Sequence, residues 1–348
     1  MAHSVARTPA PLPKPAPATN VPPERRQAHR HTYGAIDLGT NNCRLLIARP
    51  NDGGFTVVDA FSRIVRLGEG LSRSGRLTPD AMDRAVAALA VCSDKLRRRN
   101  VSLARSVATE ACRRAVNGRD FIERVRQETG IVLDIIPPQE EARLAMLGCH
   151  KLLEPGEGPA LIFDIGGGST ELILIDQNDG VPGIRSWWSA PWGVVSLTES
   201  EGREAIEGDE RVAAYKRMRE RARRSFENFA STLPTDREGI RLLGTSGTVT
   251  TLASVHLALP TYDRRAVDGL HVPIEAMRDI STMIAEMSFE ERANLPCIGA
   301  DRADLVVAGC AILEAIIEIW PAAKLGVADR GIREGILRSL MARDGYVL

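Results

Sequence analysis

A glycine turn that follows an apolar segment occurs twice in this chain, and it constrains the fold more than any other feature. The first copy occupies residues 35–42 and carries Asp37; the second occupies residues 162–171 and carries Asp164. Each turn leads back into an apolar segment, so each copy predicts a strand, a tight turn and a second strand. Backbone N–H groups of such a turn converge and form a nest for an anion. Two nests separated by about one domain length predict two similar domains that face one cleft.

The composition narrows the class of protein. The chain has 348 residues, of which 44% are hydrophobic, and this length predicts about two domains with substantial cores. Lys plus Arg and Asp plus Glu number 45 each, so the net charge is +0, which argues against a general nucleic-acid binder. The six cysteines form no CxxC motif and predict reduced thiols in a cytoplasmic protein. No apolar segment is long enough to span a bilayer.

The element pattern predicts an α/β protein with a separate N-terminal tail. Residues 1–30 are rich in Pro, Ala and Arg and predict a disordered tail, either dispensable or a weak polyanion-binding arm. From there strands and helices alternate, and the three-strand opening of the first half repeats after residue 158. The predicted units are a first domain at 31–157, a second domain at 158–328 and a C-terminal helix at 329–348 that packs back on the first domain.

Several segments resemble one enzyme family. The two turns, together with a third glycine turn, resemble those of the actin, sugar-kinase and heat-shock chaperone ATPase superfamily. More narrowly, the chain resembles the exopolyphosphatase and guanosine pentaphosphate phosphohydrolase (Ppx/GppA) family, and an Ala-Thr-Glu segment between the turns makes the resemblance specific. It implies two actin-like (ribonuclease H-like) domains with an interdomain active-site cleft. The matching segments are residues 36–41, 66–71, 107–110, 140–143, 164–171, 244–248, 302–304 and 333–335.

The resemblance implies direct attack of water on a terminal phosphorus. Glu110 matches the family's general base, and a carboxylate at the carboxyl end of a strand opens onto the ligand crevice. The alternative for Glu110 is a capping or surface residue beside two arginines. Asp37, Asp164 and Glu171 are predicted to hold Mg²⁺ or Mn²⁺, directly or through water, with Glu171 also orienting the attacking water. The alternative for either aspartate is that it caps its own turn.

Backbone N–H groups and hydroxyls of the turns are predicted to hold the phosphates. Arg44 either adds a contact to them or points to solvent, and the alternation of its strand leaves this open. Family members often have a small hydroxyl residue where this chain has Asn42. The predicted phosphate-binding residues are Gly39, Thr40, Asn41, Arg66, Gly167, Gly168, Ser169 and Gly247.

For two further groups of side chains, the sequence allows either a functional role or a purely structural one. Arg217, Arg221 and Arg224 form a helical stripe that either guides a long anion or, as we expect, is a solvated face. Trp187-Trp188 and Trp192 either stack a base or, as we expect, pack in the interior. The larger family members have extra helical domains after the core, and we expect this chain, which ends at Leu348, to lack them. With fewer phosphate contacts, a long polyphosphate would be bound weakly and released after each cleavage, which predicts distributive cleavage.

The expected substrate is polyphosphate or guanosine pentaphosphate, with no membrane and no specific nucleic acid as partner. Exopolyphosphatase activity is the first prediction, and guanosine pentaphosphate 5′-phosphohydrolase activity is the first alternative. A sensor that binds these anions without turnover would keep the glycine nests and would not need Glu110. An ATP-dependent kinase of the same superfamily is the remaining alternative, against which the Ala-Thr-Glu segment argues. A homodimer is compatible with the sequence.

Overall fold

Strands and helices alternate through the first half of the chain. The computed structural model describes residues 31–156, 158–176, 182–233 and 239–347, so the predicted tail at 1–30 lies outside the described residues. The elements of the first half are β1 (Tyr33–Leu38), β2 (Asn42–Asn51), β3 (Gly54–Ile64), α1 (Leu71–Ser74), α2 (Pro79–Arg98), β4 (Leu103–Ala108), α3 (Glu110–Arg114), α4 (Gly118–Thr129), β5 (Leu133–Ile135), α5 (Pro138–Cys149) and a 3₁₀ turn (His150–Leu152).

The second half repeats the three-strand opening and then contains more helices than the first. Its elements are β6 (Ala160–Ile165), β7 (Thr170–Asp176), β8 (Gly183–Ala190), α6 (Val194–Glu201), α7 (Arg203–Glu207), α8 (Arg211–Ala230), β9 (Arg241–Thr245), α9 (Gly247–His256), α10 (Arg264–Val267), β10 (His271–Pro273), α11 (Ile274–Glu286), α12 (Phe289–Asn294), α13 (Val306–Ile319), β11 (Lys324–Ala328) and α14 (Ile332–Arg343).

The described strands form two sheets that share a topology. The strand order is β3-β2-β1-β4-β5 in the first sheet and β10-β11-β9-β6-β7-β8 in the second. β1 pairs antiparallel with β2 and parallel with β4, just as β6 pairs antiparallel with β7 and parallel with β9. Because parallel strands end at the same edge of a sheet, each glycine turn lies beside the end of the adjacent parallel strand. The predicted α/β fold with two related halves is confirmed.

The central strands are buried on both faces, which explains their nearly continuous apolar sequences. Every residue of β1 and β6 is buried except Asp37 and Asp164, which are half-buried. These two aspartates therefore mark the points where each strand reaches the cavity described below.

Apolar side chains of both sheets meet in a shared core. Ile162 and Ile173 of the second sheet pack in one cluster with Tyr33 and Leu46 of the first. Helices α5 and α14 lie in this layer and contact each other. The Tyr33 hydroxyl donates a hydrogen bond to Asp344 Oδ2 at 2.6 Å, so the C-terminal segment is joined to the first strand. Apolar clusters on the outer faces of the sheets complete the interior.

Some elements differ from the sequence interpretation. Glu110 was expected to end a strand, but β4 ends at Ala108 and Glu110 is the first residue of α3. The segment 264–294, for which the sequence predicted no particular element, forms α10, β10, α11 and α12. No described helix has the length and apolar character needed to cross a bilayer.

Candidate active site

A cavity with a volume of about 140 Å³ lies where the glycine turns of the two halves meet. Loops at the ends of β1, β4, β6, β9 and β11 surround it, as expected for strand ends that share an edge. Its lining includes residues 39–42, 109–110, 164–169, 245–248 and 329–333 together with Asp37, Arg44, Glu141, Glu171, Thr251 and Arg302.

The two glycine turns have the same geometry. The Gly39 N–H donates to Asn42 O at 2.9 Å, and the Gly166 N–H donates to Ser169 O at 2.9 Å. Since the turns match, the residues that face each other across the two hairpins also match. Each hairpin thus places its aspartate and its glycine turn in the wall of one cavity.

The two turns touch each other directly. A Cβ atom on Gly168 would lie 2.7 Å from Thr40 Oγ1 and 2.9 Å from Glu110 Cγ. A Cβ atom on Gly167 would lie 2.9 Å from Thr40 Cβ and 3.1 Å from the Asn41 nitrogen. These distances are too short for any side chain, so glycine is required where the second turn meets the first.

Three predicted metal ligands lie in the cavity wall. In the hairpin pairing Asp37 lies opposite Arg44, and Asp164 lies opposite Glu171. Burial raises the pKa of Asp37, and it raises that of Asp164 to about 6, while the Arg44 charge opposes both shifts. Burial and the nearby Asp164 raise the pKa of Glu171 to about 7, although Ser169 donates to Glu171 Oε1 at 2.7 Å. Two carboxyl groups of the cavity, Asp164 and Glu171, therefore have pKa values close to neutral pH.

Glu141 is a cavity residue to which the sequence analysis gave no role. It lies in the first turn of α5 and is 6% exposed. Arg113 Nη1 donates to Glu141 Oε2 at 2.7 Å. Burial raises the pKa of Glu141 well above its usual range, and the charge of Glu171 adds to the shift. The available signal was its place in the segment 140–143 that matches the family.

Glu110 lines the cavity beside Glu141, and one arginine binds both. Arg113 donates to Glu110 Oε2 from Nε at 3.2 Å and from Nη2 at 2.9 Å. The same guanidinium donates to Glu141 Oε2 and to Ile136 O. Arg113 thus fixes the two glutamates relative to each other.

Three arginines that line the cavity, Arg44, Arg302 and Arg333, form no ion pair among the described residues, although the charges of Arg44 and Arg333 act on Asp37. Arg44 and Arg302 both lie next to Gly247: a Cβ atom on Gly247 would be 3.7 Å from Arg44 Nη2 and 3.9 Å from Arg302 Nη1. Arg302 Nη1 also donates to Thr251 Oγ1 at 2.9 Å. Unpaired guanidinium groups in a cavity are the groups that bind phosphate. From the sequence, the orientation of Arg44 was open, and no role was predicted for Arg302 or Arg333.

Helix starts add to the positive potential of the cavity. α9 begins at Gly247 and α14 begins at Ile332, next to cavity-lining loops. The first N–H groups of a helix lack intrahelical partners and attract anions. The Ser246 Oγ atom, at the start of α9, is buried without a hydrogen-bond partner. Ser246 and Gly247 line the cavity, whereas the Gly331 N–H at the start of α14 already donates to Glu334 Oε2 at 2.9 Å.

The oxygen atoms of the cavity fit a magnesium ion that keeps part of its water shell. Asp37 Oδ1 and Asn41 Oδ1 are buried without hydrogen-bond partners. No group of three His, Cys, Asp or Glu side chains in the described residues forms a ready-made metal cage. Mg²⁺ is usually bound through one or two carboxylates, waters and the phosphates of the substrate, so such a cage is not required.

Arg66 lies outside the cavity lining, although it was predicted to bind phosphate. Its Nη1 donates to Asp304 Oδ2 at 2.8 Å, across the boundary between the two halves. Other predicted phosphate-binding residues, namely Gly39, Thr40, Asn41, Gly167, Gly168, Ser169 and Gly247, all line the cavity.

The remaining charged and aromatic groups have structural partners. Arg217 and Arg221 pair with Glu201, and Arg224 pairs with Glu220, so the stripe on α8 is an ion-paired surface. Trp187 is half-buried against the shared core. The Arg221 guanidinium lies 5.5 Å from the ring centre of Trp192. Trp188 is 41% exposed, so the expected burial of all three tryptophans is wrong for that ring.

The fold and the position of the cavity define the class of protein, an actin-like α/β protein with a cavity between two related halves. Residues 46–344 match the Ppx/GppA phosphatase family, and the chain belongs to this family. The resemblance found in the sequence is thereby confirmed.

Individual relatives carry two enzyme names. Exopolyphosphatase 2 of Mycobacterium tuberculosis is 31% identical over 323 residues, covering 88% of this chain and 97% of that protein. The guanosine-5′-triphosphate,3′-diphosphate pyrophosphatase of Aeromonas hydrophila is 28% identical over 319 residues, covering 90% of this chain and 60% of that protein. The Aquifex aeolicus member of the Ppx/GppA family has a crystal structure that is 30% identical, with a TM-score of 0.73, covering 91% of this chain and 99% of that one.

Proposed function

We propose that this protein is an exopolyphosphatase that releases the terminal phosphate of inorganic polyphosphate. The observation that carries the proposal is one cavity that combines unpaired arginines with buried carboxyl groups. Arg44, Arg302 and Arg333 supply positive charge for a phosphate chain, and the glycine turns supply N–H donors. The carboxyl groups supply acceptors for the proton of an attacking water. Phosphate hydrolysis by water uses both kinds of group: positive charge that binds the phosphate, and a group that accepts the proton of the attacking water.

The arginines and the glycine turns bind and orient the terminal phosphate. The glycine turns and the start of α9 line the cavity, and their free N–H groups would hold non-bridging oxygens. Arg44 and Arg302 flank Gly247 and stabilise the charge that moves onto the leaving chain. Since the groups are already in place, little reorganisation accompanies the reaction.

Glu141 is the group that we propose as the general base, in place of the Glu110 predicted from the sequence. It lines the cavity, where its carboxylate can accept a proton from water, and burial raises its pKa above the usual range, which makes it a stronger base. Water attacks the terminal phosphorus, Glu141 takes the water proton, and the bond from phosphorus to the bridging oxygen breaks. The electron pair stays on the shortened chain. Glu110 holds Arg113, which in turn positions Glu141.

Magnesium is the proposed cofactor. Asp37 and Asp164 would hold it, and Glu171 would accept hydrogen bonds from its water shell. When bound, the ion neutralises charge on the phosphate oxygens. The unpartnered Asp37 Oδ1 atom supports this assignment.

Guanosine pentaphosphate is the alternative substrate, because the Aeromonas relative is named for a guanosine phosphate. The same chemistry then removes the 5′ γ-phosphate. A sensor without turnover is the remaining alternative, and the buried carboxyl groups argue against it, since binding an anion does not benefit from them.

Phosphate release from polyphosphate and from guanosine pentaphosphate, measured side by side on the purified protein, tests the proposal. We expect release from polyphosphate to have the higher kcat/KM. A higher value for guanosine pentaphosphate would select the alternative enzyme. Tight binding of both anions without phosphate release would select the sensor.

A further inference from the structure

The loop that follows β3 connects the two halves of the chain next to the cavity. Arg66 Nη1 lies 2.8 Å from Asp304 Oδ2, and Nη2 lies 3.3 Å from Asp304 Oδ1. The same Nη2 donates to Asp301 O at 3.2 Å. The Asp304 side chain is only 7% exposed. The contact is therefore a bidentate and largely buried ion pair, the geometry in which an arginine–carboxylate pair is strongest.

The backbone of the same loop supports the first glycine turn. The N–H groups of Val65 and Arg66 both donate to Asn41 O, at 2.8 and 3.0 Å, and the Gly68 N–H donates to Thr40 O at 2.9 Å. A Cβ atom on Gly68 would lie 2.2 Å from Thr40 Cγ2. Because the packing is this close, any displacement of the loop displaces Thr40 and Asn41 with it.

In the second half of the chain, the Asp304 side of the ion pair lies close in sequence to Arg302, which lines the cavity. Asp304 follows Arg302 in the segment that leads into α13. Arg302 lines the cavity and is oriented by its hydrogen bond to Thr251. The pair thus joins the first glycine turn to an arginine of the opposite wall.

A second contact from the same loop reaches the other glycine turn. The Gly70 N–H donates to Glu199 Oε1 at 2.7 Å, and Glu199 belongs to α6. The first N–H groups of α6, from Val194 and Val195, donate to Gly166 O and Gly167 O. One short loop is therefore hydrogen-bonded to parts of both walls of the cavity.

We propose that the Arg66–Asp304 pair holds the cleft closed around the phosphate chain, and that Arg66 is a positioning residue that does not touch the substrate. The backbone of Arg66 has a φ of +48°, a left-handed conformation that is unfavourable for a residue with a side chain. The two Asn41 hydrogen bonds and the ion pair hold it there. The inference rests on the proposed function only for the identity of the ligand.

Loss of the pair lowers the fraction of molecules in the closed form. The substrate must then supply the free energy of closure, so the apparent affinity falls by that fraction. We expect KM to rise about tenfold, while kcat changes less than about threefold because saturating substrate restores the closed form.

A mutant cycle tests the proposal with Arg66→Gln, Asp304→Asn and the double variant. If the two residues act through each other, either single change raises KM and the double change raises it no further. Glu69→Gln is the matched control, because it breaks an ion pair of the same loop with Arg84 that stays within the first half. If Arg66 binds phosphate itself, Asp304→Asn frees it and leaves KM unchanged or lower, which overturns the proposal.

A readout without turnover separates this inference from the proposed function. Tripolyphosphate binding by calorimetry should weaken about tenfold in Arg66→Gln, and small-angle scattering should show a larger radius of gyration. These measurements stand even if no variant releases phosphate, in which case only the proposed function fails. An unchanged affinity and radius in Arg66→Gln, with or without a lower melting temperature, overturns the interdomain role.

Discussion

Arg44 and Glu171 occupy the same position in two equivalent hairpins, and they carry opposite charges. Arg44 pairs across its hairpin with Asp37, and Glu171 pairs across its hairpin with Asp164. The repeat therefore places one cation among several buried carboxyl groups. The charge of Arg44 lowers the pKa of Asp37 and of Asp164 against the effect of burial.

Arg44→Gln should move the acid limb of the pH profile to higher pH. The carboxylates act in their ionised form, and pKa values of about 6 for Asp164 and about 7 for Glu171 predict that kcat/KM is lost as the pH falls through this range. Without Arg44 the pKa of Asp164 rises, so the loss begins at higher pH. A profile from about pH 5 to about pH 9 measures this. Arg49→Gln, at the exposed end of the same strand, is the control, and an unchanged limb in Arg44→Gln would contradict the coupling.

Glu141→Gln should reduce kcat by about 10²–10⁴-fold, because the amide cannot accept the water proton. Glu110→Gln should reduce kcat less than about tenfold, since it removes only a contact that positions Arg113. Tripolyphosphate should still bind to both variants. If Glu110→Gln loses turnover and Glu141→Gln keeps more than about a tenth of it, Glu110 is the base.

Glu171→Gln should stabilise the protein at pH 8 and leave its stability unchanged near pH 4.5. The pKa of Glu171 is about 7 in the folded chain and 4.5 in the reference state. The folded state therefore binds the proton more tightly, and the stability from this group is lost as the pH rises from about 4.5 through 7. Glutamine does not titrate and can still accept from Ser169 and Ser189. Thermal unfolding at both pH values checks this, and equal melting temperatures at pH 8 would refute the shift.

Activity should require Mg²⁺ or Mn²⁺ and disappear in excess chelator, because hard oxygen ligands select these ions. Added Mg²⁺ should raise the melting temperature of the unaltered protein at pH 8 by binding only the folded state. Asp164→Asn should abolish this increase. Asp94→Asn, which changes an exposed carboxylate on α2, should keep it. Full turnover in excess chelator would mean that Asp37, Asp164 and Glu171 bind no catalytic metal and only stabilise their turns.

Gly168→Ala should reduce kcat/KM by about 100-fold, because its Cβ atom would force the second turn away from Thr40 and Glu110. Gly183→Ala is the matched control, since a Cβ atom there meets nothing within 4 Å. Retained activity in Gly168→Ala would mean that the two turns are not in contact during the reaction.

The glycine hairpins were predictable because strand alternation and turn chemistry agree over a short stretch of sequence. The register that sets Asp164 opposite Glu171 follows once the turn is known. Helix α2 carries similar local signals, since Thr78 caps it through the Ala81 N–H and Pro79 begins it. Such signals involve neighbouring residues only.

Glu141 could not be assigned from the sequence because Glu140 stands next to it in the same helix turn. Adjacent helix positions point about 100° apart, and only packing decides which one faces inward. In the structure Glu140 pairs near the surface with Arg105 and Arg143, whereas Glu141 is buried in the cavity. For Arg66 the partner Asp304 lies in the other half of the chain, where no local pattern indicates it.

Helix α11 was missed although a signal was present. Its buried residues Ile274, Met277, Ser281 and Ile284 recur at helical spacing. A serine in this series weakened the apolar pattern, and the three-residue strand β10 before it is too short to be recognised.

The direct contact between Gly167-Gly168 and Thr40 makes the floor of the cavity largely main chain. Main-chain N–H groups do not titrate in the working range, and of all substitutions only that by proline removes one. Under the proposed function, this separates recognition of a phosphate group from the choice among phosphate compounds, which falls to the side chains around the floor. A change of substrate would then need new side chains at the rim, while the place where the bond breaks stays the same.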